Sequence, residues 1–358
     1  MFVLNLITNN YRFLLLFNSL QDFFVMRNAM TGNLPTEIGL TGGSLKRMSL
    51  EGNRLDGAIP TNIGSLTNAQ ALSFRSNVFD SNIPTEIGLL TSLTFLDLSF
   101  NSFEGDIPSE IGLLGDNLET FMLEYGTLEG NIPGSLGDLK VAQHIVLSKN
   151  GFGGYLPSSL GKLDAIKTLK LDNNKLMGPL PVELWEVMNT IEELDFSHNL
   201  FTEEIPRELF LAGTGSAVIS LRLDYNLITG AIPSEIGHLT SAKTIGLSNN
   251  YFNSAIPSEF GLLTGLEWLD LSSAGLQGEL PEQVFQMRGL TELYLNDNSL
   301  KGKIPASFSS LRALKHLWLQ NNDFTGTMPQ SICDLRLESL IVDCDAVSCS
   351  DDCGCSCI

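Results

Sequence analysis

The sequence predicts an α/β solenoid, a right-handed superhelix with a parallel β-sheet on its concave side and short helical or 3-10 segments on its convex side. One phrase recurs along the 358 residues: residues 93–108 are LTFLDLSFNSFEGDIP, and residues 290–305 are LTELYLNDNSLKGKIP. Thirteen of the fourteen prolines occupy the same place in this phrase, 24 or 25 residues apart except for one interval of 27. A fixed period of this length indicates that each repeat is one turn of a single elongated domain.

The first half of each repeat predicts a short strand. In LTFLDLSFNSF, the alternation around Leu96 and Leu98 has the period of a strand, and Leu93 and Phe103 complete the inward set. We expect the strands of successive turns to pair in parallel, about 4.8 Å apart.

An asparagine follows the strand in most turns and predicts a buried ladder along the solenoid. A buried amide must be satisfied, and stacked amides can both donate and accept where the backbone leaves the strand. The set is Asn28, Asn53, Asn77, Asn101, Asn150, Asn174, Asn199, Asn226, Asn250, Asn298 and Asn322. Gly126 and Ala274 interrupt it, and these two turns are predicted to be its weakest points.

The second half of each repeat, as in GDIPSEIGLL, predicts a bend and a short helical turn. Glycine allows the bend, proline fixes φ, and Ser or Thr followed by Glu favours a helix start. The acids at this position are Glu37, Glu86, Glu110, Glu183, Glu235 and Glu259. The longer interval contains residues 209–220, which we expect to bulge at an edge while the next strand keeps its register.

The phrase NxLxGxIPxEIGxLxxLxxLxL, in thirteen registered copies, resembles the plant-type class of leucine-rich repeats. That class is found in ectodomains of receptor-like kinases and in polygalacturonase-inhibiting proteins. The resemblance implies a concave face that binds a protein, peptide or glycan, with a membrane-bound co-receptor as a further partner. The organisation it suggests is a partial repeat at 1–19, thirteen repeats at 20–332 and a cysteine-rich cap at 333–358. Residues 1–358 depart from the class in two ways, because they contain neither the cysteine-bearing amino cap nor a kinase.

All cysteines lie at the carboxyl end, where a solenoid needs closing. They are Cys333, Cys344, Cys349, Cys353, Cys355 and Cys357. An even number confined to a terminal cap favours disulfides and an oxidising compartment, although the sequence does not select the pairing. The alternative is a metal site in CSDDCGCSC, but structural zinc sites usually add a second, distant pair of ligands.

Charge and hydropathy narrow the partners and the location. The chain has 41 acidic and 21 basic residues and a net charge of −20, the wrong sign for binding nucleic acid or an anionic membrane surface. No apolar run is long enough to span a bilayer, so no direct membrane insertion is expected. We expect an extracellular or cell-surface protein whose native start lies upstream of Met1, although Asn-x-Ser/Thr sequons are lacking.

Nothing in the sequence predicts an enzyme or a cofactor. The histidines at 144, 198, 238 and 316 are spread over several turns, and no glycine-rich phosphate loop breaks the repeat register. Glu193 and Asp195 could pair as glycosidase carboxylates, but solvated ion pairs with the neighbouring Lys170 and Arg222 are the preferred interpretation.

The outward strand positions vary from turn to turn, and function is expected there. The position between the two strand leucines is occupied by Phe24, Ser49, Ser73, Asp97, Met122, Val146, Lys170, Asp195, Arg222, Gly246, Asp270, Tyr294 and Trp318. Near the carboxyl end, a predicted ligand patch on the concave face comprises Trp268, Asp270, Glu292, Tyr294, His316 and Trp318. Trp185 falls on the helical side. The aromatic residues could instead only cover the sheet or meet a neighbouring molecule, and the rival function is a structural spacer in a cell wall or matrix.

Overall fold

A computed structural model describes residues 20–41, 43–211, 216–349 and 353–357. They fall into two compact units, which divide between Leu176 and Met177. The predicted partial repeat at residues 1–19 lies outside the described residues.

In the first unit, one strand from each turn joins a parallel main sheet whose neighbours follow chain order. Its strands are Asp22–Phe24, Arg47–Ser49, Ala71–Ser73, Phe95–Asp97, Thr120–Met122, His144–Val146 and Thr168–Lys170. A smaller parallel sheet pairs Thr31–Asn33, Arg54–Gly57 and Val78–Phe79.

The second unit repeats this arrangement. Its main sheet holds the parallel strands Glu193–Asp195, Ser220–Arg222, Thr244–Gly246, Trp268–Asp270, Glu292–Tyr294, His316–Trp318, Ser339–Val342 and Ser356–Cys357. Smaller parallel sheets pair Met177–Gly178 with Leu200–Phe201, and join Gln277–Gly278, Ser299–Lys303, Asp323–Thr327 and Val347–Ser348.

The returning half of each turn is a 3-10 helix, as the post-proline pattern predicts. In the first unit these helices are Thr36–Thr41, Thr61–Ser65, Thr85–Leu89, Ser109–Leu114, Gly134–Asp138 and Ser158–Lys162. In the second they are Val182–Val187, Arg207–Phe210, Ser234–His238, Ser258–Leu262, Glu282–Gln286 and Ala306–Ser310, followed by the α-helix Gln330–Cys333. The predicted acids, such as Glu86 and Glu235, lie in first turns, where a carboxylate suits the helix amino end.

The core is the inward set of the repeat. Leu93 and Leu96 are fully buried, and Leu98 and Phe103 are 1% exposed. The predicted alternation is confirmed, and the leucine-rich repeat fold with it, because each turn buries the same positions and leaves the residues between them on the outer face of the sheet.

The asparagine ladder bonds to the backbone and not from amide to amide. Asn77 is typical: its Nδ2 donates to the carbonyls of Leu50 and Phe74, both at 3.0 Å, and its Oδ1 accepts from the Leu55 amide at 3.1 Å. Each side chain therefore ties its own turn to the preceding one. Asn28 differs from the prediction, since it is half-exposed and its Nδ2 donates to the carbonyl of Met26.

The two ladder interruptions are not equivalent. At Ala274, Asn298 Oδ1 of the next turn accepts from the amides of Ala274 at 3.1 Å and Leu276 at 2.9 Å. At Gly126, the Oδ1 of Asn150 is buried and has no donor among the described residues. A Cβ at residue 126 would lie 2.5 Å from that oxygen, so a side chain there would displace the Asn150 amide.

The longer repeat interval keeps the sheet intact. The strand Ser220–Arg222 pairs in register with Glu193–Asp195 and with Thr244–Gly246, as predicted. The predicted bulge begins too early, because Leu209 and Phe210 close a 3-10 helix and are buried. Residues 212–215 lie outside the described part.

The carboxyl cap is disulfide-bonded, as predicted for its described cysteines. The structure pairs Cys333 with Cys353 and Cys349 with Cys355, and Cys344 is also disulfide-bonded. The cap extends the main sheet through Ser356–Cys357, which pairs with Ser339–Val342. Within the described ranges, no helix has the length and apolar character needed to cross a membrane.

Candidate ligand-binding face

The six residues predicted to form the ligand patch lie together on three neighbouring strands of the second unit. The strand register aligns Trp268 with Glu292 and His316. Two residues further along the strands, it aligns Asp270 with Tyr294 and Trp318. The leucines between them, Leu269, Leu293 and Leu317, are buried, so the six side chains share the outer face.

Trp268, Tyr294 and Trp318 form a connected aromatic row. The rings of Trp268 and Tyr294 are 6.2 Å apart and inclined by 64°, and those of Tyr294 and Trp318 are 4.7 Å apart and inclined by 71°. Such edge-to-face pairs contribute about 0.5–1.5 kcal/mol each beyond buried area. Trp318 Nε1 also donates to Ser339 Oγ at 3.0 Å. All three rings are half-buried, so the row is both held in place and accessible.

Tyr294 is the polar centre of the row. Its hydroxyl donates to Glu292 Oε2 at 2.5 Å. Burial raises the pKa of Tyr294, and the carboxylates of Glu292 and Asp270 raise it further, so the phenol stays neutral. Asp270 Oδ1 accepts from the amide of Ser272 at 2.9 Å and from its hydroxyl at 2.6 Å.

Arg222 extends the row, and the sequence analysis did not predict this contact. Its guanidinium carbon lies 5.1 Å from the ring centroid of Trp268, within cation–π range. The strand between them carries Gly246, where a Cβ would overlap the carboxylate of Asp224. The missing side chain therefore lets Asp224 and Arg222 occupy the space above that strand. Gly246, at an outward strand position, is the feature of the sequence from which this contact could have been predicted.

Asp224 is the buried charge beneath this contact, with a side chain only 1% exposed. It accepts from Arg222 Nε at 3.0 Å, from the Ser248 hydroxyl at 3.0 Å and from the Ser248 amide at 3.2 Å. Burial raises the pKa of Asp224 despite the opposing effect of Arg222. Burial also disfavours the charge of Arg222, but Asp224, Asp195 and Asp270 outweigh it and raise the pKa of Arg222. The ion pair that Arg222 forms is with Asp224, whereas the sequence analysis expected Asp195 as its partner, and Asp195 adds to the raised pKa of Arg222 from a neighbouring strand.

The chain matches the family described as "Leucine rich repeat" over residues 277–343, and "Leucine Rich Repeat" over residues 44–66, 92–114 and 190–211. The protein is a plant-type leucine-rich repeat protein. It is similar to a TDR receptor, with 32% identity, a TM-score of 0.85, and coverage of 92% of this chain and 56% of that one.

Two other solved structures extend the comparison. The plant peptide hormone receptor RGFR1, in complex with RGF2, is 27% identical with a TM-score of 0.68, covering 91% of this chain and 59% of that one. A leucine-rich repeat protein of Leptospira interrogans is 28% identical with a TM-score of 0.70, covering 97% of this chain and 89% of that one. This leucine-rich repeat protein therefore spans little more than half the length of the TDR and RGFR1 chains.

His316 and Trp185 complete the account of the predicted residues. His316 Nε2 lies 3.8 Å from Glu338 Oε2, and Glu338 also pairs with Lys315 Nζ at 3.1 Å. Trp185 lies in the 3-10 helix Val182–Val187 and is 44% exposed, apart from the aromatic row. The structure therefore supplies an exposed tryptophan in the same unit that serves as an internal control.

The first unit contains a different aromatic set, which the sequence analysis also missed. Phe100 and Tyr125 stack with ring centroids 4.3 Å apart and an angle of 19°. The guanidinium carbon of Arg75 lies 4.3 Å from the centroid of Phe100, and Lys149 Nζ lies 4.0 Å from that of Tyr125. Lys149 Nζ also donates to the Tyr125 hydroxyl, and Tyr125 is 43% exposed. We call these four side chains the cation–aromatic stack.

Proposed function

We propose that this protein is an extracellular or cell-surface recognition protein that binds a peptide across the outer face of the second unit. The observation that carries the proposal is the row of Trp268, Tyr294 and Trp318, held by edge contacts while the rings stay half-exposed. Aromatic anchors that are rigid before binding lose little conformational entropy and are enriched at binding hot spots.

A peptide is favoured over a protein surface or a glycan by the comparisons. RGFR1, which shares the fold over 91% of this chain, is a plant peptide hormone receptor in complex with RGF2. An extended peptide also suits a row that crosses three parallel strands in succession. A membrane-bound co-receptor is part of the same proposal.

The location and the absence of catalysis belong to the proposal as well. Disulfides in the cap support an oxidising compartment outside the cell. The ionisable groups near the row are engaged in holding the face, as Asp224 is with Arg222 and Ser248. A general base must be able to reach the substrate proton that it abstracts, whereas these side chains are already engaged with one another. Their contacts therefore favour ligand binding over catalysis.

The test is selection of peptide ligands from a library of random twelve-residue peptides, displayed on phage, against the wild-type protein. Trp268→Ala with Trp318→Ala should weaken binding of the selected synthetic peptides by about 2 kcal/mol, roughly thirtyfold, in a variant that circular dichroism shows to be folded. Trp185→Ala is the matched control and should leave binding unchanged. Selection of no peptide that depends on the two tryptophans would refute the proposal and favour the structural spacer.

A further inference from the structure

Two carboxylates flank Tyr294 at the centre of the aromatic row. Asp270 pairs in register with Tyr294 from the neighbouring strand, and Glu292 lies two residues before Tyr294 on the same outer face. The Tyr294 hydroxyl donates to Glu292 Oε2 at 2.5 Å. Burial raises the pKa of Tyr294, and the charges of Glu292 and Asp270 raise it further, so both carboxylates act on the same hydroxyl. The phenol and the two acids therefore form one cluster.

Each carboxylate of this cluster is held at one oxygen and leaves the other one for a ligand. Asp270 Oδ1 accepts from the amide and the hydroxyl of Ser272, and Glu292 Oε2 accepts from Tyr294. No donor of the described residues contacts Asp270 Oδ2 or Glu292 Oε1. Both residues are half-buried, and these two oxygens remain open to solvent. They are acceptors that a bound group can reach.

The rings beside the cluster are accessible, and one of them already contacts a cation. Trp268 and Trp318 meet the Tyr294 ring at 64° and 71°, and all three rings are half-buried. The guanidinium carbon of Arg222 lies 5.1 Å from the Trp268 ring centroid. Arg222 approaches from two strands before Trp268, whereas Tyr294 is on the strand after it. The open ring surface around Tyr294 can attract a second cation in the same way.

The outer face of these strands carries an excess of acid. On the strands from Glu193–Asp195 to His316–Trp318, the outward carboxylates are Glu193, Asp195, Asp270 and Glu292. Arg222 is the one arginine or lysine at these outward strand positions, and it pairs with the buried Asp224 at 3.0 Å. Arg222 therefore leaves the excess uncompensated. Because a face of one sign attracts and orients a partner of the other sign, this face favours a positively charged occupant.

We propose that a lysine or arginine side chain of the bound peptide docks at Tyr294, with its alkyl stem against the aromatic row and its charge paired with Asp270 Oδ2 and Glu292 Oε1. Asp270 and Glu292 occupy diagonal positions on adjacent strands, so strand spacing and rise place their Cα atoms about 8 Å apart. One cation held between the two side chains can pair with both carboxylates at that separation. This assignment rests on the proposed peptide-binding function and names the charge of the ligand.

The first experiment uses the peptides selected on wild type, synthesised with an acetylated amino terminus so that only side chains carry positive charge. Each should contain one essential lysine or arginine. Norleucine in place of that lysine, or citrulline in place of that arginine, should weaken binding about tenfold, because a charge-assisted contact is lost. Added salt should weaken binding of the basic peptide more than that of its neutral analogue.

Asp270→Asn with Glu292→Gln removes both charges and keeps the oxygens that accept from Ser272 and Tyr294. This variant should bind the basic peptide about tenfold more weakly than wild type does. The loss should disappear with the norleucine or citrulline peptide, because the two changes remove one and the same contact. An equal loss for basic and neutral peptides would mean that the acids only support the rings, and would overturn the proposal.

Glu235→Gln with Glu259→Gln is the matched control for charge. Both acids are half-buried in the same unit, and they lie in the 3-10 helices Ser234–His238 and Ser258–Leu262. The control changes the net charge by the same amount and should leave binding of both peptides unchanged. Equal weakening by the control and by the Asp270→Asn, Glu292→Gln variant would show a general attraction without a subsite.

The outcomes separate the subsite from the function it rests on. Peptides that need Trp268 and Trp318 but have no essential basic residue would overturn the subsite and leave the proposed function standing. Normal binding of the basic peptide by the Asp270→Asn, Glu292→Gln variant would do the same. Peptides indifferent to the two tryptophans would overturn the proposed function itself.

Discussion

The cation–aromatic stack of the first unit and the aromatic row of the second unit use the same kinds of side chain in opposite ways. In the stack, Phe100 and Tyr125 lie nearly parallel, and each ring has a cation about 4 Å from its centroid, Arg75 at 4.3 Å and Lys149 at 4.0 Å. In the row, Tyr294 meets the edges or faces of its two tryptophan neighbours at 64° and 71°. In the stack, each ring contacts the other ring in parallel and also a cation, whereas the inclined rings of the row keep ring surface available to a ligand.

The difference comes from the position within the repeat. Phe100 and Tyr125 lie three residues after the ends of their strands, Phe95–Asp97 and Thr120–Met122, where φ is 57° and 53° and the backbone is left-handed. The row residues lie within the strands, where neighbours are separated by the sheet spacing of about 4.8 Å. Aromatic content alone therefore does not mark a binding face in a solenoid of this kind.

Breaking the stack should give the largest effect on stability and none on binding. Phe100→Ala with Tyr125→Ala removes the half-buried ring of Phe100, the exposed ring of Tyr125 and two cation contacts, and should lower the free energy of unfolding by about 2–3 kcal/mol. Chemical denaturation measures the loss, and the selected peptide should bind the folded variant as it binds wild type. Weakened peptide binding by this variant would mean that the stack, too, contacts ligand.

Replacement of Arg222 tests the second unit, because Arg222 contacts Trp268 of the aromatic row and also pairs with the buried Asp224. Arg222→Met leaves the buried Asp224 without its charge partner and should cost about 2 kcal/mol of unfolding free energy near neutral pH. Lys243→Met is the matched control, since Lys243 pairs with Glu267 at 2.8 Å in a solvent-exposed position. That exposed pair should contribute less than about 1 kcal/mol, and equal losses in the two variants would contradict the buried network.

The smallest expected effect is a pH dependence from Asp224. Because its pKa is raised above the ordinary value of 3.8, the folded protein holds this proton more tightly than the unfolded chain does. Its contribution to stability is therefore complete below pH 3.8 and decreases as pH rises through the folded-state pKa. The stability difference between wild type and Asp224→Asn should accordingly fall as pH rises through this window. A difference that grows with pH there would show that Arg222 lowers the pKa after all.

The repeat made the core and the register predictable, but not the contacts that depend on side-chain length or on strand ends. Alternation around Leu96 and Leu98 suffices to place the outward column, and a constant period then aligns Trp268 with Glu292. The contact of Arg222 with Trp268 skips a strand and depends on the absence of a side chain at Gly246.

Two further features lie beyond what the periodic pattern can predict. The cation–aromatic stack begins where the alternation of the strand has ended, so a period of two gives no direction for Phe100 or Tyr125. Asn296 and Gln320 each come two residues after an outward strand position, Tyr294 and Trp318, yet only 8% and 7% of them is exposed. Such burial follows from packing between turns and not from any one repeat.

The indole N–H signals of the three tryptophans provide the most direct test of the peptide-binding face. In protein labelled with nitrogen-15 at tryptophan, a selected peptide should shift the signals of Trp268 and Trp318, including the Nε1 proton that Trp318 donates to Ser339. The signal of Trp185, which lies in a 3-10 helix, should stay in place. A shift of Trp185 alone, or saturable peptide binding with the Trp268 and Trp318 signals unmoved, would contradict the assignment of the ligand to the aromatic row.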